Sequence, residues 1–192
     1  MDLGLKGKNA AITGSSQGIG YAIAKSLAEE GCNVALSARN QDRLDQAVAD
    51  FEAKGVKAVG IICDLSNEEG CGKFIAEAAT AMGGIDILVN NVGGMIPGTI
   101  ESVTPEIWDT ILNTNLMSFV HTTKYTVPHI KKSVAGRILN VSGVTGTQLL
   151  PGALTTTIPN TAIHGFAKIM AAELGPDNIT VNTICPGFTA TE

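Results

Sequence analysis

The clearest chemistry in the chain lies in Thr-Gly-Ser-Ser-Gln-Gly-Ile-Gly at 13–20. Glycines at 14, 18 and 20 let a backbone turn tightly and approach a pyrophosphate. A helix that begins there offers unpaired amides and the positive end of its dipole. Gly14, Ser16, Gln17, Gly18, Ile19 and Gly20 are therefore candidate cofactor-binding residues. A dinucleotide with a free ribose hydroxyl wants an Asp or Glu about 20 residues on. The chain has Ser37-Ala38-Arg39 there instead. An arginine fork pairs with phosphate oxygens, and no acid stands by to repel them. NADP(H) is the better fit than NAD(H). The alternative is that Arg39 is a solvated loop charge.

Such a turn must be held by a strand before it and a helix after it, and both are legible. Residues 10–13 are a short apolar run, and 19–30 carry apolar residues at helical spacing (Ile19, Ala22, Ile23, Leu27) until Gly31. Residues 33–38 and 56–63 read as strands, with an amphipathic helix at 40–54 between them. Ser-Asn-Glu-Glu at 66–69 reads as a capping box opening a helix to about Met82. Residues 85–90 are a nearly continuous apolar strand, as expected for one buried on both faces. Thr104-Pro105 opens the longest helix, running to about Lys132, with Pro128 expected to kink it. Residues 136–142 and 179–184 are strands, and a helix is expected over 159–174. Alternating strands and helices predict an α/β fold: a parallel sheet with helices on both faces.

Totals narrow the function classes. The 192 residues are 44% hydrophobic and 16% charged, with 22 glycines and a net charge of −5. That suits one domain over 1–192 and lacks the basic footprint of a nucleic-acid binder. The first residues contain no long apolar run, and no stretch approaches the ~20 residues of a spanning helix. A cytoplasmic protein with neither membrane nor nucleic-acid partners is expected. Cysteines at 32, 63, 71 and 185 form no Cys-x-x-Cys pair and have no histidine at a ligand spacing. Reduced, buried thiols and no metal site are expected. The sequence stops in a loop after the last strand, which suggests a C-terminally shortened chain.

An ordered set of motifs resembles the short-chain dehydrogenase/reductase family. It comprises the glycine turn at 13–20, Cys-Asp-Leu at 63–65, Asn-Asn-Val-Gly at 90–93, and Trp108-Asp109 followed by Asn115. Gly-Arg-Ile-Leu-Asn-Val-Ser at 136–142 and Thr-Val-Asn-x-Ile-x-Pro-Gly at 180–187 complete it. The resemblance implies a Rossmann-type doubly wound sheet in three layers, apparently lacking the family's last helix and strand. It implies that Asp64 and Leu65 flank the adenine, that Asn91 and Gly93 line the cofactor cleft, and that Pro186, Gly187 and Thr191 meet the nicotinamide end. It also implies hydride exchange between the nicotinamide and a small-molecule carbonyl or alcohol, and a homodimer or homotetramer paired through the long helices.

The same resemblance locates the reacting groups. The family uses Ser, Tyr thirteen residues later and Lys four after that, with an Asn on the long helix. Register from the flanking motifs puts these at 143, 156, 160 and 115. The chain carries Gly143, Thr156, Asn160 and Asn115, so only the Asn is retained. The two tyrosines, Tyr21 and Tyr125, lie far away in sequence. Tyr21 and Lys25 match a Tyr-x-x-x-Lys spacing but fall on the helix after the glycine turn, at the wrong end of the cofactor. Asn160 retains the ability to hydrogen-bond a ribose but brings no charge. Ser142 faces the other way unless the strand bulges, and His164 lies about 12 Å along the helix from Thr156 at ~1.5 Å per residue. Thr155, Thr156 and Thr157 are candidates to orient a water or to cap a helix starting near Pro159. Three readings follow: an oxidoreductase with an altered proton-transfer site, a non-catalytic NADP(H)-binding protein, or a decayed fold.

Overall fold

The computed structural model describes residues 2–190. Its centre is a parallel sheet of six strands in the order β3-β2-β1-β4-β5-β6. The strands are β1 Asn9–Ile12, β2 Asn33–Ala38, β3 Ala58–Ile62, β4 Ile87–Asn90, β5 Arg137–Val141 and β6 Thr180–Ile184. The order reverses at β1, which pairs with both β2 and β4. A crevice opens beyond the strand ends at such a switch point, and ligands of doubly wound sheets bind there.

Helices α1 (Gly18–Glu29) and α2 (Gln41–Glu52) cover one face; α3 (Glu68–Met82), α5 (Ser118–Ile130) and α6 (Leu154–Leu174) cover the other. The alternation of β1 shows why two faces can be buried at once. Ala10 and Ile12 join Val34, Leu36, Leu44 and Phe51 on the first side, while Ala11 joins Phe74, Leu88 and Ile138 on the second. All four residues of β4 are buried, as its continuous apolar run requires.

Three sequence expectations need correction. The long helix is not continuous: α4 (Pro105–Leu112) passes through a π-helical stretch at Asn113–Met117 before α5. The cap of α3 is Asn67, not Ser66; its side chain accepts the Gly70 amide at 2.8 Å. Most consequential for the site, α6 begins at Leu154, five residues before Pro159. The Thr156 and Thr157 amides both reach the Ala153 carbonyl and start the helix there. Pro159 therefore lies inside the helix, where it forgoes one backbone bond, and the three threonines form the first turn rather than a cap.

Candidate active site

The glycine turn is braced from two sides. Asn91 Nδ2, at the end of β4, donates to the Thr13 and Gly14 carbonyls, each at 3.0 Å. Thr13 Oγ1 in return accepts the amides of Asn91 (2.7 Å) and Val92 (3.0 Å). From β2, Ser37 Oγ accepts the Gly14 amide at 2.9 Å. Gly18 sits at φ +60°, a left-handed geometry that favours glycine. A Cβ on Gly20 would come within 2.3 Å of the Gly14 carbonyl oxygen. The helix α1 starts at Gly18 with no side-chain cap on its amides, so its first donors remain for a ligand.

A cleft of about 530 Å³ opens over this turn. Gly14, Ser16, Gln17, Gly18 and Ile19 line one wall, and Gly20 is packed beneath. Arg39 lines it from the end of β2, Asp64 and Leu65 from beyond β3, and Asn91 and Gly93 from beyond β4. Four separate loops thus deliver ten of the expected cofactor residues to one cavity, which Asn160 does not line. Sequence reading missed Arg43, which also lines the cleft and donates to Gln17 Oε1. A signal for it exists: Arg43 is four residues past Arg39, in the first turn of a helix whose cap, Asn40, accepts the Arg43 amide at 2.9 Å. The Asp64 carboxyl is held below its usual range, chiefly by the Ser66 amide at 3.0 Å and the Ser66 hydroxyl. The Arg39 charge also lowers it.

These residues fit a nicotinamide dinucleotide. The cradle admits no side chain at Gly20, free amides face the cleft, and two guanidinium groups stand at its rim. Pro186 and Gly187 lie beyond β6, away from this cavity. The Pro186 carbonyl accepts the Val144 amide at 2.9 Å, which draws that segment to the reacting end. Thr191 lies outside the described residues.

Of the positions expected to react, the structure brings 143 and 160 together. A Cβ on Gly143 would stand 2.8 Å from Asn160 Nδ2 and 3.8 Å from Thr145 Oγ1. Asn160 Nδ2 donates to Thr145 Oγ1 at 2.8 Å. Thr156 is buried, its hydroxyl turned back to the Ala153 carbonyl at 3.1 Å. Thr155 donates to the Ile96 carbonyl at 2.6 Å, tying α6 to the loop after β4. Ser142 Oγ donates to the Asn160 carbonyl at 3.2 Å, so it joins strand to helix without any bulge.

Asn115 sits in the π-helical stretch, where its side chain grips Gly94 from both sides. Oδ1 accepts the Gly94 amide at 2.9 Å, and Nδ2 donates to the Gly94 carbonyl at 2.7 Å. His164 points to Cys185, with Nε2 and Sγ 3.4 Å apart. Neither tyrosine approaches: Tyr21 donates to Asp50 at 2.8 Å and Tyr125 to Glu68 at 3.0 Å. Among the described residues no group of three His, Cys, Asp or Glu is arranged to hold a metal. Nor is any described helix long and apolar enough to cross a membrane.

Comparison with known proteins places this geometry in a family. The human "Dehydrogenase/reductase SDR family member 4" is 38% identical over 188 residues, covering 97% of this chain and 68% of the relative. L-sorbose reductase from Gluconobacter frateurii, solved in complex with NADPH and L-sorbose, superposes with a TM-score of 0.97 at 35% identity. That match covers all of this chain and 73% of the other. A short chain dehydrogenase from Burkholderia cenocepacia in complex with NADP gives 0.94 at 34% identity, covering 98% and 77%. The short chain dehydrogenase family model matches residues 8–192, and the chain belongs to that family.

Proposed function

We propose that the protein is an NADP(H)-dependent oxidoreductase of a small carbonyl/alcohol pair, working with an altered proton-transfer site. The observation that carries this is the cleft over the glycine turn, with Arg39 and Arg43 at its rim. The NADPH and NADP complexes of its structural neighbours support the cofactor. When bound, the dihydronicotinamide supplies a hydride to the carbonyl carbon and leaves as its oxidised form. The chain's task is to hold the two reactants in register, which contributes much of the barrier reduction in such transfers. The glycine turn and the α1 amides seat the pyrophosphate, and the two arginines seat the 2′-phosphate.

The family's Ser, Tyr and Lys positions are filled by Gly143, Thr156 and Asn160. A tyrosine near a cation titrates toward working pH; a threonine hydroxyl does not. Losing a positioned general acid costs about 10²–10⁴ in rate. The proton that completes the alcohol comes from water in this reading. Homo-oligomers through the long helices remain the proposed assembly. Ile158 (45% exposed) and Ile169 (58%) lie three turns apart on α6 and share one outer face.

A second reading, a non-catalytic NADP(H)-binding protein, is favoured by one observation: none of the three substituted positions carries an ionisable group. Fluorescence titration with NADPH, followed by NADPH consumption against a panel of aldehydes and ketones, separates the two. Binding with slow turnover is expected. Binding without turnover on any carbonyl selects the second reading, and absence of NADPH binding refutes both.

A further inference from the structure

The hydroxyls between β5 and α6 are mostly committed. Ser142, Thr155 and Thr156 each donate to a backbone carbonyl. Thr145 is different. A hydroxyl has one hydrogen to donate and two lone pairs to accept with. Thr145 Oγ1 accepts from Asn160 Nδ2 at 2.8 Å, and its hydrogen is given to no group among the described residues. The same oxygen lies 3.8 Å from where a Cβ on Gly143 would be. It therefore sits beside the place the family gives to its substrate-binding serine. The residue is 9% exposed, held between the short 3₁₀ turn Val144–Gly146 and the helix α6.

We propose that Thr145 is the oxygen-binding residue of this site: its hydroxyl donates to the substrate's carbonyl oxygen, and Asn160 positions it. The proposal rests on the oxidoreductase reading. The Asn160 amide occupies one lone pair of Thr145 Oγ1 and so directs the hydroxyl hydrogen away from itself. As hydride reaches the carbonyl carbon, the π pair of the C=O bond becomes a lone pair on oxygen. The Thr145 hydrogen bond strengthens with that developing charge. Thr145 keeps its proton; water supplies the one that forms the alcohol, leaving hydroxide to the solvent.

This arrangement also accounts for a glycine at 143. Any side chain there would meet Asn160 Nδ2 at 2.8 Å, displacing the amide from Thr145. A serine hydroxyl at 143 and the Asn160–Thr145 pair are alternative ways to place a donor at one spot.

The test uses 2,2,2-trifluoroethanol as an alcohol probe, its binding followed by ¹⁹F NMR in the presence of saturating NADP⁺, with no turnover required. Thr145→Ala should weaken probe binding about 3–10-fold, the worth of one hydrogen bond. Thr145→Ser should bind as wild type does. Asn160→Ala should weaken binding too, and adding it to Thr145→Ala should cost nothing more, because Asn160 acts through Thr145. In carbonyl reduction, Thr145→Ala should lower kcat/KM on the order of 10²-fold. Equal probe binding by wild type and Thr145→Ala, including none by either, overturns the assignment. The oxidoreductase reading fails separately, if the wild-type protein binds no NADPH or reduces no carbonyl.

Discussion

At the scale of single residues, the cofactor end and the reacting end differ in how they use charge. Arg39 and Arg43 bring two guanidinium groups to the cleft rim. Hydrogen bonds to charged groups are worth roughly 1.5–3 kcal/mol each. Arg39→Ala should therefore raise the Kd for NADPH about 10–100-fold while leaving that for NADH almost unchanged. Unchanged binding of both cofactors would assign Arg39 to the solvated surface, and equal losses for both would assign it to a part of the cofactor that the two share. Arg39 is legible in the sequence because it ends a strand at a known interval from the glycine turn. Arg43 carries a weaker signal, its place in the first turn of the helix that follows, and the fold of the β2–α2 loop turns it to the same cleft. At the reacting end, Gly143 and Asn160 are coupled by the 2.8 Å approach of a Cβ to Asn160 Nδ2. Gly143→Ser alone should thus give no gain in carbonyl reduction, or a loss. A clear gain from that single change would show the two positions to be independent. The pairing of Thr145 with Asn160 spans fifteen residues and depends on where α6 begins, so spacing alone does not reveal it.

At the scale of elements, the turn between β1 and α1 and the start of α6 set the site. Gly20→Ala would push a methyl to 2.3 Å from the Gly14 carbonyl oxygen and 2.6 Å from Asn91 Nδ2. Backbone cannot move aside as a side chain does, so the turn must open. NADPH binding should fall by at least about 10-fold, the loss of one or two charge-assisted hydrogen bonds to phosphate, and the thermal midpoint should drop as well. Unchanged binding would mean that the turn is not the phosphate cradle. The first turn of α6 matters to the substrate wall, because the Thr155 hydroxyl holds the Ile96 carbonyl. Thr155→Val keeps shape and removes that bond, leaving a carbonyl unpaired at a cost of roughly 1–3 kcal/mol. The loop at 93–98 should then exchange its amide hydrogens faster, and KM should rise more than kcat falls. Strands are readable from their apolar runs, and α1 to α3 from their period and stops. The start of α6 is hidden because Pro159 resembles a first-turn proline, whereas the Ala153 carbonyl has already nucleated the helix. The π-helical stretch at Asn113–Met117 has no signature in the apolar pattern; within it Asn115 grips Gly94.

At the scale of the whole molecule, both faces of the sheet are sealed around apolar residues and three neutral thiols. Burial is the main cause that pushes Cys32 and Cys63 up to about 11 and Cys71 to about 12. Each thiol holds its proton more tightly folded than unfolded, where it titrates near ~8.5. The associated stability is complete below pH ~8.5 and is lost as pH rises toward the folded values. Urea midpoints should fall steeply between pH ~8 and about 11, and less steeply in Cys71→Ala. Parallel curves for the two proteins would refute this cause. The doubly wound sheet itself is legible end to end, since each strand and helix declares its type locally. The reacting end rests on the resemblance, which reads Gly143, Thr156 and Asn160 as substitutions, and the proposal drawn from that reading is that hydride transfer persists although its acid is gone. The most direct measurement compares NADPH-dependent carbonyl reduction, at saturating NADPH, by wild type and by Gly143→Ser/Thr156→Tyr/Asn160→Lys. Slow but measurable turnover is expected of wild type, and a rate at least about 10²-fold higher of the triple variant. A wild type that binds NADPH yet reduces no substrate would refute the persistence of hydride transfer, and a triple variant that binds NADPH equally well yet is no faster than wild type would refute the loss of its acid.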